Sequence, residues 1–233
     1  MLYRVLAVVA LIGSALWSWA QEKPPAGRKV VAPLRPILEV LHSANVSGSL
    51  ELSRCGSAPL PHLPPLRDPL KSRGPLLQTL NEVFADDLAM HVTQDADRTT
   101  RMIEGGVPTD LLNVKISHIP FEINGVPLPA FSTVDAVRTI LHTPEVLAFA
   151  EAHDIVIPPP NGAAPGSNAP YPMDRPHIVG SMNELTVSQA MDRVLKTFPG
   201  IWVYQDCPCA DGKGRCVFFR FFDLHDPGLF WEE

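Results

Sequence analysis

Residues Ile178-Val-Gly-Ser-Met-Asn-Glu-Leu-Thr-Val-Ser-Gln-Ala-Met-Asp-Arg-Val-Leu-Lys-Thr-Phe-Pro-Gly-Ile-Trp-Val-Tyr204 decide the fold class of this chain. Thr186-Val-Ser-Gln189 fits a capping box, in which the threonine hydroxyl and the glutamine side chain each take one otherwise unbonded amide. Behind it, Val187, Ala190, Met191, Val194, Leu195 and Phe198 fall on one helical face, with Asp192, Arg193 and Lys196 opposite. Pro199-Gly200 stops the helix. Ile201 to Tyr204 and Cys216 to Phe222 are branched and aromatic, as strands are. Ala210-Asp-Gly-Lys-Gly214 supplies the turn between them. The order is strand, helix, strand, strand, and a helix on an antiparallel sheet buries one apolar face of each, so the class is α+β.

Asn183 to Lys196, with Trp202-Val-Tyr204, resembles the short N-terminal domain of secretins and TonB-dependent receptors. That resemblance implies a β-α-β-β unit serving ring assembly or signalling contacts in the bacterial envelope. The chain departs from the family in lacking a following barrel or secretin core, and in its Cys207-Pro-Cys209 loop.

Residues 1–20 have the form of a secretory signal. Arg4 gives the charged start, Leu6 to Trp17 the apolar run, and Ser18-Trp-Ala20 a cleavage site before Gln21. The run is short for a membrane span, so membrane contact is expected only through this segment if it stays uncleaved. Removing it takes Arg4 and no acid, so the formal charge of −6 becomes −7. A mildly acidic chain without a basic cluster is a poor nucleic-acid binder. The expected address is periplasmic or secreted.

The 25 prolines cluster and mark linkers. Pro158 to Pro172 is the clearest of these. It divides the chain into an N-terminal α+β domain over 21–157 and a C-terminal module over 173–233, joined by 158–172. Within the first domain, 33–43 is a candidate helix, and Ser49 to Ser53 alternates as a strand. Gly74-Pro75 opens a helix running to Phe84. Strands follow at 89–93, 101–104 and 111–119. Ser132 and Thr143 cap two helices ending near His142 and His153. In both halves a helix ending in phenylalanine (Phe84, Phe198) leads to a strand ending in Gln-Asp, which raises the question of a duplication.

The four cysteines, Cys55, Cys207, Cys209 and Cys216, form an even set, so an exported chain is expected to use them in disulfides. A bond between Cys207 and Cys209 would force a very tight ring across Pro208. The two remaining pairings both tie Cys55 to the C-terminal hairpin. The one joining Cys207 to Cys216 is preferred, because those residues face each other at the hairpin's mouth. A zinc site from the Cys-x-Cys pair, Cys216 and His225 competes, but the spacing is unlike structural zinc sites. His142, Glu145, Glu151, His153 and Asp154 are a second possible ligand set, although Pro144 breaks the register between them. No nucleophile elbow or phosphate loop is present. Phe218, Phe219, Phe221 and Phe222 put rings on both faces of one strand, and Phe230-Trp231 follow. They are the candidate interface. The sequence thus predicts an exported, disulfide-stabilised binding or assembly module with a protein partner, without cofactor, metal or catalytic residues. An exported metal-dependent hydrolase using the groups from His142 to Asp154 is the alternative.

Overall fold

A computed structural model describes residues 34–54, 66–67, 74–123, 126–127, 129–158, 176–210 and 212–224. Helices α1 (Arg35–Ala44), α2 (Leu76–Val83), α3 (Thr133–Leu141), α4 (Pro144–Ala152) and α5 (Val187–Thr197) are interleaved with nine strands. The strands are β1 (Gly48–Leu52), β2 (Met90–Gln94), β3 (Thr100–Glu104), β4 (Lys115–Ile123), β5 (Val126–Pro127), β6 (Ile155–Val156), β7 (Gly180–Thr186), β8 (Gly200–Pro208) and β9 (Arg215–Asp223). The protein is α+β.

One six-stranded sheet, ordered β2-β3-β1-β8-β9-β6, carries the architecture. Its middle strand β1 runs parallel to both neighbours, with Leu50 opposite Met102 on one side and Val203 on the other. Antiparallel hairpins complete it outward, β2 on β3 and β9 on β8. Side chains alternate between faces along a strand, and β8 shows the consequence. Ile201 and Val203 join α1, α2, Leu50, Leu52 and Met102 in one core. Trp202 and Tyr204 join α3, α4, α5 and β4 in the other. All five residues of β1 are buried, because a central strand covered on both faces has no solvent side.

This sheet corrects the expected organisation. Residues before and after 158–172 are not two separately cored units, since β1 hydrogen-bonds directly to β8 along its whole length. Nor does the C-terminal module form a sheet of its own. The elements occur in the expected order, yet β7 pairs with β4 in a second, three-stranded antiparallel sheet, ordered β5-β4-β7. The two helices compared as repeats, α2 and α5, lie in different cores on opposite faces of the six-stranded sheet.

Local chemistry explains the boundaries. Both bonds of the capping box are made, with Gln189 N–H donating to the Thr186 hydroxyl at 3.2 Å and Thr186 N–H to the Gln189 side chain at 3.0 Å. Ser132 caps α3 as expected. Thr143 precedes α4, but its hydroxyl donates to the Ile140 carbonyl at 2.9 Å and not to the α4 end. The strand expected at 111–119 begins later, because Leu111–Asn113 form a 3-10 turn that buries both leucines.

Candidate functional site

Strand β9 is paired unequally on its two sides. Its inner edge is bonded to β8 over all nine residues. Its outer edge meets β6 only at Arg215 and Cys216. Beyond Val156 the chain reads Ile157-Pro-Pro-Pro160. Proline has no N–H to donate, so β6 is stopped there. Among the described residues, no strand bonds the outer edge from Val217 to Asp223.

The side chains of β9 divide by face. Val217 and Phe219 are buried in the core under α5, where the Phe219 ring meets Tyr204 edge-on at 5.3 Å. Phe221 is partly buried against the same core and Phe222 against the opposite one. Phe218 is partly exposed, with the Arg220 guanidinium 6.0 Å from its ring centre, a cation–π distance. Of the aromatics expected at an interface, Phe219 is therefore core, while Phe218, Phe221 and Phe222 keep an exposed part. Phe230 and Trp231 lie outside the described residues.

Arg220 differs from the other arginines that are at least partly buried. Arg35 pairs with Glu39 at 2.7 Å. Arg54 pairs with Glu104 and, at 2.5 Å, with Asp87. Arg101 donates to Asp95 at 2.7 Å and to Asp192, and lies 3.8 Å from Glu51. Arg215 makes a two-pronged bond to Asp110, 2.7 Å on each prong, and another to Asp206. Among the described residues Arg220 has no carboxylate partner: its Nε and Nη1 are buried without a hydrogen bond. Burial pushes its pKa below the ordinary guanidinium value, with no acid to oppose the shift.

The Arg101 cluster is a buried polar group that sequence reasoning missed. Glu51 and Asp192 are buried, and burial raises both carboxyls although Arg101 pulls them down. Trp202 Nε1–H donates to Asp192 at 3.0 Å, and the Arg101 guanidinium lies 5.6 Å from the indole centre. Asp192 was expected on the solvent face of α5, but it turns toward the sheet because Trp202 and Arg101 both offer it donors. A cleft beside it is lined by Asp97, Leu185, Gln189, Asp192, Arg193 and Lys196. Every nitrogen of Arg101 already makes a hydrogen bond, to Asp95, Ser49 and Asp192, so the cluster locks α5 to the sheet.

The histidine and acid groups between His142 and Asp154 are not brought together around a common point. His142 Nδ1 donates to the Arg138 carbonyl at 2.8 Å, and His153 Nδ1 to the Phe149 carbonyl at 2.9 Å. The His153 ring also stacks on Phe149 at 3.9 Å. Glu145 accepts the Ser117 N–H at 3.0 Å and its hydroxyl, which lowers the carboxyl. Among the described residues no group of three or more His, Cys, Asp or Glu is placed to hold a metal.

The disulfide found joins Cys209 to Cys216, with an S–S distance of 2.05 Å. The preferred pairing of Cys207 with Cys216 is thereby corrected. Those two are cross-strand partners, yet Cys207 is itself disulfide-bonded elsewhere. It shares a strand face with Gln205, whose amide donates to the Arg54 carbonyl at 2.8 Å. That face is turned to the chain just before Cys55. Cys55 lies outside the described residues, as do the signal-cleavage residues Ala20 and Gln21. No described helix is long and apolar enough to cross a membrane. Set against protein-family models, characterised proteins and solved structures, the chain matches none of them.

Proposed function

We propose that the chain is an exported, non-enzymatic binding or assembly module that takes a protein partner along β9, in the bacterial periplasm or outside the cell. The observation that carries this reading is the outer edge of β9. Seven residues there have no strand beside them among the described residues, and three of those residues are part-exposed phenylalanines. An open edge with apolar side chains is a template for strand addition. Export is supported by the Cys209–Cys216 bond, which suits an oxidising compartment. The role proposed is that of the short domain of secretins and TonB-dependent receptors, whose element order β7-α5-β8-β9 follows although β7 pairs with β4 in the second sheet. The charged clusters around Arg54, Arg101 and Arg215 close on themselves, which favours binding over catalysis.

The test is photocrosslinking in cells that export the protein. A photoreactive phenylalanine analogue at Phe218 is expected to give one discrete adduct with another envelope protein. The same analogue at Leu147, an exposed residue of α4, is expected to give none. Equal labelling from both positions, or none from Phe218, would overturn the reading.

A further inference from the structure

We infer that the occupant of the β9 edge is an extended segment of another protein that carries a carboxylate, flanked by apolar residues, opposite Arg220. This rests on the binding reading above and adds the partner's chemistry.

Three observations converge. First, among the described residues the edge has no strand beside it from Val217 onward, since β6 stops at Val156 before Ile157 and Pro158. An incoming strand can continue the ladder where β6 stops, from Val217 onward. Second, Arg220 is the middle residue of that open run, and its buried Nε and Nη1 have no partner. A buried donor left unsatisfied carries a desolvation cost that a carboxylate removes, and the guanidinium fork fits a carboxylate in two-pronged geometry. The other partly buried arginines among the described residues each have such an acid. Third, Arg220 shares its face with Phe218 and Phe222, two residues away on either side. The incoming segment therefore meets the order apolar, cationic, apolar at alternate positions, and its complement is apolar, acidic, apolar.

The same geometry argues against a second copy of the chain. Two β9 edges paired antiparallel about their midpoint would set Arg220 directly against Arg220. Like charges directly opposite are destabilising. An acid-bearing partner turns that repulsion into attraction, so Arg220 discriminates between partners as well as anchoring one.

The experiment uses the exported full chain and three end-blocked, fluorescent heptapeptides of alternating valine and threonine, which differ only in a central Glu, Gln or Lys. Polarisation titrations are expected to show the Glu peptide binding about tenfold or more tighter than the Lys peptide. Arg220→Gln should erase that preference and Arg220→Lys should restore part of it, each variant first being shown to unfold cooperatively. Equal binding of the three peptides, or an unchanged preference in Arg220→Gln, would overturn the inference. So would concentration-dependent dimerisation of the unliganded chain through β9. If none of the peptides binds while the Phe218 crosslink still forms, the acidic-segment inference fails and the wider binding reading stands.

Discussion

Trp202 is held by two interactions of different kinds, and substitution separates them. Its ring is 1 % exposed in the core under α5, and its N–H donates to Asp192 at 3.0 Å. Trp202→Ala removes both and is expected to cost about 3–5 kcal/mol of unfolding free energy. Trp202→Phe keeps most of the packing but leaves a buried carboxylate short of a donor, for about 1.5–3 kcal/mol. Denaturant unfolding measures both, and an unchanged midpoint for either would refute this placement. Gly200 is constrained by proximity. A Cβ there would overlap the Phe222 carbonyl and the Phe221 ring, so Gly200→Ala is expected to cost about 1–3 kcal/mol in the same assay. The burial of Trp202 was legible in a short aromatic strand. The burial of Asp192 was not. Helical periodicity sorts side chains by face, and it carries no information about donors waiting on a strand ten residues further along.

At the scale of elements, the β8–β9 hairpin is fastened twice. Cys209 and Cys216, seven positions apart in sequence, close its loop. Replacing both by serine is expected to lower stability by about 2–3 kcal/mol, the loop-closure scale for so short a ring. Non-reducing denaturation checks it, and no change would show that the bond constrains nothing. The second fastening is Arg215, which joins Asp206 of β8 to Asp110 ahead of β4. Its hydrogen bonds hold the Asp110 carboxyl below its ordinary value of 3.8. A lowered folded-state pKa contributes stability above the unfolded value, and that contribution is lost as pH falls through the folded one. The Asp110 side chain is 40 % exposed, so solvent screening keeps the contribution to about 1 kcal/mol or less. Asp110→Asn is therefore expected to be the less stable protein at pH 7. Its deficit should persist down to about pH 4–5 and vanish as the pH drops well below 3.8. A deficit independent of pH would assign the effect to packing. The hairpin, its turn and the α5 cap were readable locally, since each signal lies within a few residues of the structure it makes. The cysteine pairing turned on Cys207 being bonded elsewhere, which local spacing does not reveal.

For the whole molecule, the sequence supplied the α+β class and nearly every element, but not their assembly. Ser49-Leu-Glu-Leu52 alternates as a half-exposed strand would, yet β1 sits mid-sheet with Ser49 and Glu51 buried at 0 % and 3 %. The alternation was real. The side facing α5 is polar because it carries the Arg101 cluster, whose bonds join residues 52 and 91 positions apart in the chain. The proline-rich stretch at 158–172 was read as a domain boundary, since composition signals a linker and cannot tell whether strands on either side pair. Its first proline has a different consequence, ending β6 so that no described strand continues along β9. Arg220 had left a trace in the sequence as the lone charge among four phenylalanines, although its want of a partner needed three dimensions.

Hydrogen exchange of the β9 backbone tests most directly whether that edge is open. In an antiparallel pair, alternate amides point toward the neighbour and away from it. In the free protein, alternate amides from Val217 to Asp223 should exchange slowly through their bonds to β8, and the intervening ones fast. The fast set should slow when the central-Glu heptapeptide is added. Uniformly slow exchange along β9 in the free protein would mean that the edge is already covered, and would contradict the account at its centre.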